Sequence, residues 1–407
     1  MKKILLLTLI LISSLYPQIG SIYSSYGPGE PNTNFSVRRN GFGIGLTTID
    51  NVDISSINPA SWSGIQVVKL IGSFYYSRNS FNDNLSKNNI SIGSFENLSL
   101  SFPIKRDLGI VLAGGIIPYT KMHFRTISPE QFFDTISYNA HYSGDGGLTN
   151  YFLGLSYHLR NVGSLGISAN FLIGTYFRSV STEFKNIDYI NPQFNTNYKN
   201  RGIAYRIGYI SDNLSKYVKT ENLKDLKFGF VYTFPTNLTT QYSEVKTGIF
   251  IDTVLENSMN THIPAQLGIG LSGRFGERAN VYVDYFYQDW TKFSTEGKRD
   301  ENLSSLSIYS LGIEILPPIK PENYLETISL RLGAYVKKLP IVLNSKKIYE
   351  YGLRTGFSLP IDQLNLIDFA LQYSIRGSTK NSLIRESILS FWLGINFAEI
   401  WFVKNDE

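Results

Sequence analysis

The sequence predicts an all-β chain, a transmembrane antiparallel up-and-down β-barrel of about 14 strands with an N-terminal segment plugging its lumen. Three observations lead there. Segments of roughly ten residues with alternating polarity recur from about residue 66 onward. The stretches between them alternate short and long. Aromatic residues reach 14% while charged residues are held to 17%, a balance that suits a wall whose girdles face a membrane interface.

Taken in chain order, Lys2 and Lys3 precede a run, residues 4–12, that is apolar except for Thr8, and Ser13 and Ser14 follow. That is the layout of a secretory signal peptide. The run is shorter than the ~20 residues a spanning helix needs, so residues 1–20 are expected to be removed near Gly20, with an uncleaved anchor as the alternative. The chain has no cysteine, which excludes a lipidated N-terminus and any disulfide. No later segment approaches the ~18 consecutive apolar residues of a helical span. No linker or composition shift divides residues 66–407, so one barrel domain is expected there. The net charge of +5 is spread along the chain and points to no nucleic-acid partner.

The strand pattern is clearest in the C-terminal half. Tyr309, Leu311, Ile313 and Ile315 alternate with Ser310, Gly312 and Glu314, and Ile328, Leu330, Leu332, Ala334 and Val336 alternate with Ser329, Arg331, Gly333 and Tyr335. Tyr351, Leu353, Thr355, Phe357 and Leu359 alternate with Gly352, Arg354, Gly356 and Ser358. Successive side chains on a strand face opposite sides, so the two sets must meet different environments. A soluble sandwich would alternate too. Segments of about ten residues are longer than usual strands and match a tilted membrane crossing. The polar face mixes both signs, as in Glu314, Arg331, Arg354 and Asp368, with glycine and serine, which suits a crowded lumen.

Such segments centre near residues 71, 96, 113, 155, 171, 206, 230, 270, 285, 311, 331, 354, 370 and 395. Barrels of this kind have short periplasmic turns and long outer loops. Residues 103–107, 161–163, 276–279 and 360–365 read as short turns. Residues 119–149, 179–200 and 235–263 read as long outer loops, and 211–225 is a long connection where a short one is expected.

Residues 21–65 are rich in Gly, Ser, Asn and Pro, lack any sustained period, and contain Asn58-Pro59-Ala60. A segment of this size can sit inside a wide barrel as a plug; a periplasmic tail is the alternative.

These places together resemble the FadL-type family of outer-membrane transporters. Asn58-Pro59-Ala60 is similar to the family's NPA motif. Residues 263–271, Val283-Asp284-Tyr285 and Asp289-Trp290 are similar to its proline-led and aspartate-tryptophan strands, and residues 330–335 and Trp401-Phe402 to its later ones. The closing pattern looks closest to the branch that includes PorV-like shuttle proteins of type IX secretion. The resemblance implies an N-terminal hatch, passive uptake of small hydrophobic compounds such as long-chain fatty acids, and lateral release into the membrane at a kinked third strand. The expected partners are outer-membrane lipid, a small hydrophobic ligand and the barrel-assembly machinery; the expected location is the outer membrane.

On that reading Gly114, Gly115 and Pro118 are the candidate kink, since glycine marks bulges and proline removes a ladder hydrogen bond. The hatch motif is expected against the wall near the glycine pair. Tyr282, Asp284, Phe286, Gln288 and Trp290, with Arg331 and Arg354, are the candidate lumen lining, either a ligand groove or interior filling. His141, Ser143 and Asp145 lie close in sequence but in glycine-flanked loop chemistry, so no catalytic role is assigned. The four histidines show no ligand spacing, so no metal site and no cofactor are expected. Two functions stay open: a channel for small hydrophobic compounds, or a non-transporting barrel that docks or shuttles proteins crossing the outer membrane.

Overall fold

The two alternating faces become a wall that separates lipid from a filled lumen. The computed structural model describes residues 20–34, 36–49, 51–82, 87–132, 136–184, 190–218, 223–248, 253–380 and 383–400. Most of the expected signal peptide, and Trp401-Phe402, lie outside the described residues.

Fourteen strands form one closed antiparallel barrel. They are β1 (Val68–Asn82), β2 (Lys87–Lys105), β3 in two pieces (Ile110–Pro118 and Thr120–Phe132), β4 in two pieces (Ile136–Gly146 and Thr149–Leu159), β5 (Gly163–Phe184) and β6 (Gln193–Ser211). Then follow β7 (Leu223–Thr233 and Thr236–Thr247), β8 (Thr253–Ile263 and Gln266–Phe275), β9 (Ala279–Asp289) and β10 (Ser305–Ile315). The last four are β11 (Ser329–Leu343), β12 (Lys346–Pro360), β13 (Leu366–Gly377) and β14 (Arg385–Glu399). Pairing of β1 with β14, from Val68 opposite Glu399 to Asn82 opposite Arg385, closes the wall. Each of the fourteen expected centres falls in a different strand.

Tyr309, Leu311 and Ile313 face outward and are exposed, whereas Ser310 and Glu314 are buried inside, and the same division holds for Leu330, Leu332, Tyr351 and Leu353 against Arg331 and Arg354. Outward apolar side chains meet lipid, where no hydrogen-bond partner exists, and closure satisfies every paired backbone group internally.

The expected long outer loops are instead strand. Residues 119–149 are mostly the hairpin of Thr120–Phe132 with Ile136–Gly146, in unbroken register from Met122 opposite Gly146 to Phe132 opposite Ile136. Residues 235–263 are mostly the hairpin Thr236–Thr247 with Thr253–Ile263, and 179–200 are covered largely by the outer ends of β5 and β6. Beyond the membrane both faces meet water, so polarity stops alternating while the hydrogen-bond ladder continues. The connection between Ser211 and Leu223 remains long and holds a short 3-10 turn, Ser215–Tyr217.

Residues 21–65 thread the lumen and supply much of the core. Tyr23, Ile44, Leu46 and Ile57 join a buried cluster with wall residues including Leu172, Val231, Phe286 and Trp290. Ile54, Trp62 and Ile65 pack on Val111, Ala113, Ile117 and Phe152. A fourteen-stranded ring is too wide for its own side chains to fill, so this segment occupies the space.

Candidate functional site

The luminal segment of residues 21–65, a hatch by position alone, is fastened to the wall by charge. A one-turn helix, α1 (Val37–Asn40), is capped by Ser36, whose side chain accepts from the Arg39 N–H. It aims Arg38 and Arg39 in different directions. Arg38 donates from Nε and Nη2 to Glu314 Oε1 and Oε2 of β10 at 2.9 and 2.8 Å. Glu314 also accepts from Arg331 Nε at 2.8 Å, and Arg331 continues to Asp368 at 3.2 Å and Ser358 at 2.6 Å. Arg39 stays within the hatch, pairing with Asp53 at 2.8 Å. All these groups are buried, where removing one partner would leave an uncompensated charge.

A second cluster lies further along. Glu30 of the hatch accepts from Lys337 at 2.8 Å and from two Arg376 nitrogens, each at 2.8 Å, and Arg376 also reaches Glu350 at 2.6 Å. Burial alone would raise the Glu30 carboxyl, but Arg376 and then Lys337 outweigh it and hold it low, at about 2.

Asn58 caps the 3-10 turn Pro59–Gly64 by accepting from the Ala60 N–H at 3.1 Å, and donates to Leu46 O at 2.9 Å. The turn rests mainly on β4, β5 and β6 and reaches β3 through Trp62, while Asn58-Pro59-Ala60 themselves sit against β5 and β6 and not against Gly114-Gly115 as the sequence suggested. Its seat is made by glycines on the neighbouring strands: a Cβ on Gly166 would overlap Pro59 and Ala60, and one on Gly208 would overlap Asn58. Similarly, Gly312 and Gly333 leave room for the Phe42 carbonyl.

The seven lumen residues named from sequence all point inward and are buried. On the lumen face of β9 the hatch fills the space of the expected groove. Phe42 stacks on Tyr282 with centroids 4.5 Å apart, and Asp284 accepts from the Gly45 and Leu46 N–H groups at 2.8 and 3.1 Å. Gln288 donates to Pro264 O at 3.0 Å and accepts from Trp290 Nε1 at 3.0 Å. Arg354 donates to Gln372 at 2.9 Å and lies 4.3 Å from the centre of the Tyr335 ring.

The wall parts beside the third strand. Over its inner piece β3 pairs with β2, from Lys105 opposite Ile110 to Leu98 opposite Ile116. Gly114 and Gly115 sit in regular register on both sides, against Leu100 and Ser99 and against Leu153 and Phe152. They are therefore not the kink. The strand breaks at Pro118-Tyr119, and beyond it the outer piece of β3 stays with β4 but leaves β2. Among the described residues, no ladder joins residues 87–97 of β2 to β3. Hatch residues Glu30–Pro31 pair there instead, opposite Lys121 and Thr120.

Behind this break lies a cavity of about 170 Å³ between hatch, β1, β3 and β11–β14. Ser77, Asn79, Ile92, Lys121, His123, Arg354 and Trp392 are among its walls. Lys121 and Glu96, which no periodicity marked, bridge the base of the break. Glu96 is legible only in hindsight, as the extra residue where the β1–β2 register slips between Ser73 and Phe74. His141 and Asp145 stand on strand rather than loop and serve separate partners, Glu183 at 3.0 Å and His123 at 3.5 Å. No cluster that could hold a metal is found among the described residues.

A closed fourteen-strand barrel with its N-terminal segment inside is a fold shared with solved FadL-type outer-membrane channels. Solved structures with this architecture include the CymD monoaromatic hydrocarbon channel (14% identity, TM-score 0.62, 90% of this chain and 98% of that one) and the Ralstonia pickettii toluene transporter TbuX (14%, 0.58, 90% and 98%). A Pseudomonas aeruginosa FadL homologue is similar too (12%, 0.59, 91% and 99%). No curated protein matches the sequence. By sequence the chain belongs to the BamG family, whose model matches residues 1–406.

Proposed function

We propose that this protein resides in the outer membrane after loss of residues 1–20 and passes small hydrophobic or amphiphilic compounds sideways into the bilayer. The observation that carries this reading is the parting of β2 from β3 at Pro118, which puts the cavity behind the wall within reach of the membrane. In this reading residues 21–65 act as the hatch and Asn58-Pro59-Ala60 as its pivot. The charged cavity lining favours compounds with a polar end. The test is uptake of a labelled long-chain fatty acid, and of a panel of apolar compounds, by cells with the protein and by cells with a version lacking residues 58–60. Protein-dependent uptake that changes with the deletion supports the reading; equal uptake in cells without the protein defeats it.

A second reading follows from the filled lumen, where buried ion pairs tie the hatch to β10, β11 and β13. A barrel fastened in this way suits a docking component that conducts nothing. The family's name associates it with the barrel-assembly machinery, so the partner under this reading is that machinery. Depletion that lowers the amount of other outer-membrane barrels, without altering uptake, favours it over the channel.

A further inference from the structure

We propose that the break between β2 and β3 is a docking slot for an extended segment of a partner polypeptide, which adds to the wall as a strand. The inference rests on neither reading of function above.

Two strand edges face each other across the break. On one side are residues 87–97 of β2, paired only with β1 among the described residues. On the other is the outer piece of β3, paired along its length with β4. Unpaired edges of this kind are templates for another strand, and proteins that must avoid pairing place charges or proline along them. Residues 88–95, Asn-Asn-Ile-Ser-Ile-Gly-Ser-Phe, carry neither. Lys87 and Glu96 stand only at the two ends.

The edge of β3 already accepts strand-like partners where the hatch reaches it. Glu30–Pro31 pair with Lys121 and Thr120, the Asn32 N–H donates to Tyr119 O at 2.9 Å, and Ser24 Oγ both donates to His123 O and accepts from His123 N, each at 3.1 Å. The Tyr119 carbonyl and the His123 N–H and carbonyl thus point into the break. With a period of two, those of Arg125 and Ile127 point there as well, and the described part of the hatch supplies nothing for them. The in-chain strand ends where a second could continue the ladder.

The cavity behind would receive the inward side chains. Ile92, Ile388 and Trp392 give it apolar wall. Asn79 Oδ1 and Trp392 Nε1 are buried without a hydrogen-bond partner among the described residues. Arg354 is a buried guanidinium whose bonds run to Gln372 and Gly43, with no carboxylate partner among the described residues. A segment whose inward positions alternate short polar with one acidic side chain would satisfy all of these, using the strand-addition mode of recognition.

The probe is a displayed library of random octapeptides selected on the full-length protein in lipid nanodiscs. The expected result is enrichment of alternating sequences with an inward Asp or Glu, and slowed amide exchange at Arg125, Ile127 and residues 88–95 when a selected peptide is bound. Ile127→Pro removes a donor facing the break and leaves the β3–β4 ladder intact, so it should weaken binding on the order of tenfold. Heat-modifiable gel mobility verifies that the variant barrel is folded, and the exchange experiment on the unaltered protein needs no variant. No enriched sequence, binding indifferent to Ile127→Pro with no protection at these amides, or a co-purifying lipid that fills the break and excludes every peptide would overturn the proposal.

Discussion

Lys121 Nζ stands 2.5 Å from Glu96 Oε2, an ion pair between two strands whose backbones have parted. A side-chain contact thus does at the base of the break what a ladder does elsewhere in the wall. The Glu96 carboxylate is buried and the Lys121 ammonium partly exposed, and Ser94 Oγ lies 3.4 Å from the same ammonium.

The pair compensates a buried carboxylate at the base of the break. Lys121→Ala strands Glu96, whose other oxygen is buried without a hydrogen-bond partner among the described residues, and is expected to cost about 1–3 kcal/mol. If compounds leave through the break, the same substitution raises uptake of apolar compounds severalfold. Thermal unfolding and uptake measured on one preparation separate the effects; uptake that does not move removes the break from the route.

The network Arg38–Glu314–Arg331–Asp368 behaves differently, because none of its members meets water. Arg331→Ala leaves Asp368 without a cationic partner among the described residues and Glu314 with Arg38 alone, and is expected to cost about 3–5 kcal/mol. Arg38→Ala leaves Glu314 its second arginine, so the barrel holds while the hatch loosens. Hydrogen exchange reads this as faster exchange across α1 with unchanged strands. Uniform loosening in both variants would mean that the hatch and barrel unfold as one unit.

What was legible in the sequence is what a membrane imposes. Tyr309, Leu311 and Ile313 had to alternate with Ser310, Gly312 and Glu314 because lipid lies on one side only. Outside the membrane that constraint lapses, so Thr120–Phe132 and Ile136–Gly146 looked like loop although their ladder is continuous. The glycines were visible but their purpose was not. Gly114-Gly115 drew attention as a pair, yet the useful ones are scattered singly, as Gly166, Gly208, Gly312 and Gly333, each defined by a hatch atom far away in sequence. Glu30, Arg38 and Lys121 had no pattern at all, since long-range ion pairs leave no period.

The glycine seat gives a direct test of where the hatch rests. Gly208→Val suits a strand by propensity, so the β6 ladder should persist, but its side chain takes the place of Asn58. The expected outcome is a barrel that keeps its heat-modifiable mobility while protease cuts residues 21–65. Gly72→Val, at a glycine whose added Cβ would meet nothing within 4 Å, is the matched control and should leave the segment protected.

The last expectation concerns acid. Glu30 ties the hatch strand to Lys337 and Arg376, and its folded carboxyl is held below the usual carboxylate range, at about 2. A carboxyl depressed on folding contributes stability that is fully present above its unfolded value, near 4.5, and that is lost as pH falls through the folded one. Hatch protection around residues 30–31 should therefore hold from neutral pH to about pH 5, decline progressively below about 4.5 and be lost as pH nears 2. Other carboxylates titrate in the same window, so the informative quantity is the difference from Glu30→Gln, which keeps the shape and loses the charge. That variant should show weaker protection already at neutral pH, and the gap between the two proteins should narrow as the medium is acidified. A constant gap down to pH 2 would assign the loss to the neighbours of Glu30, with Arg376 and Glu350 the pair to alter next.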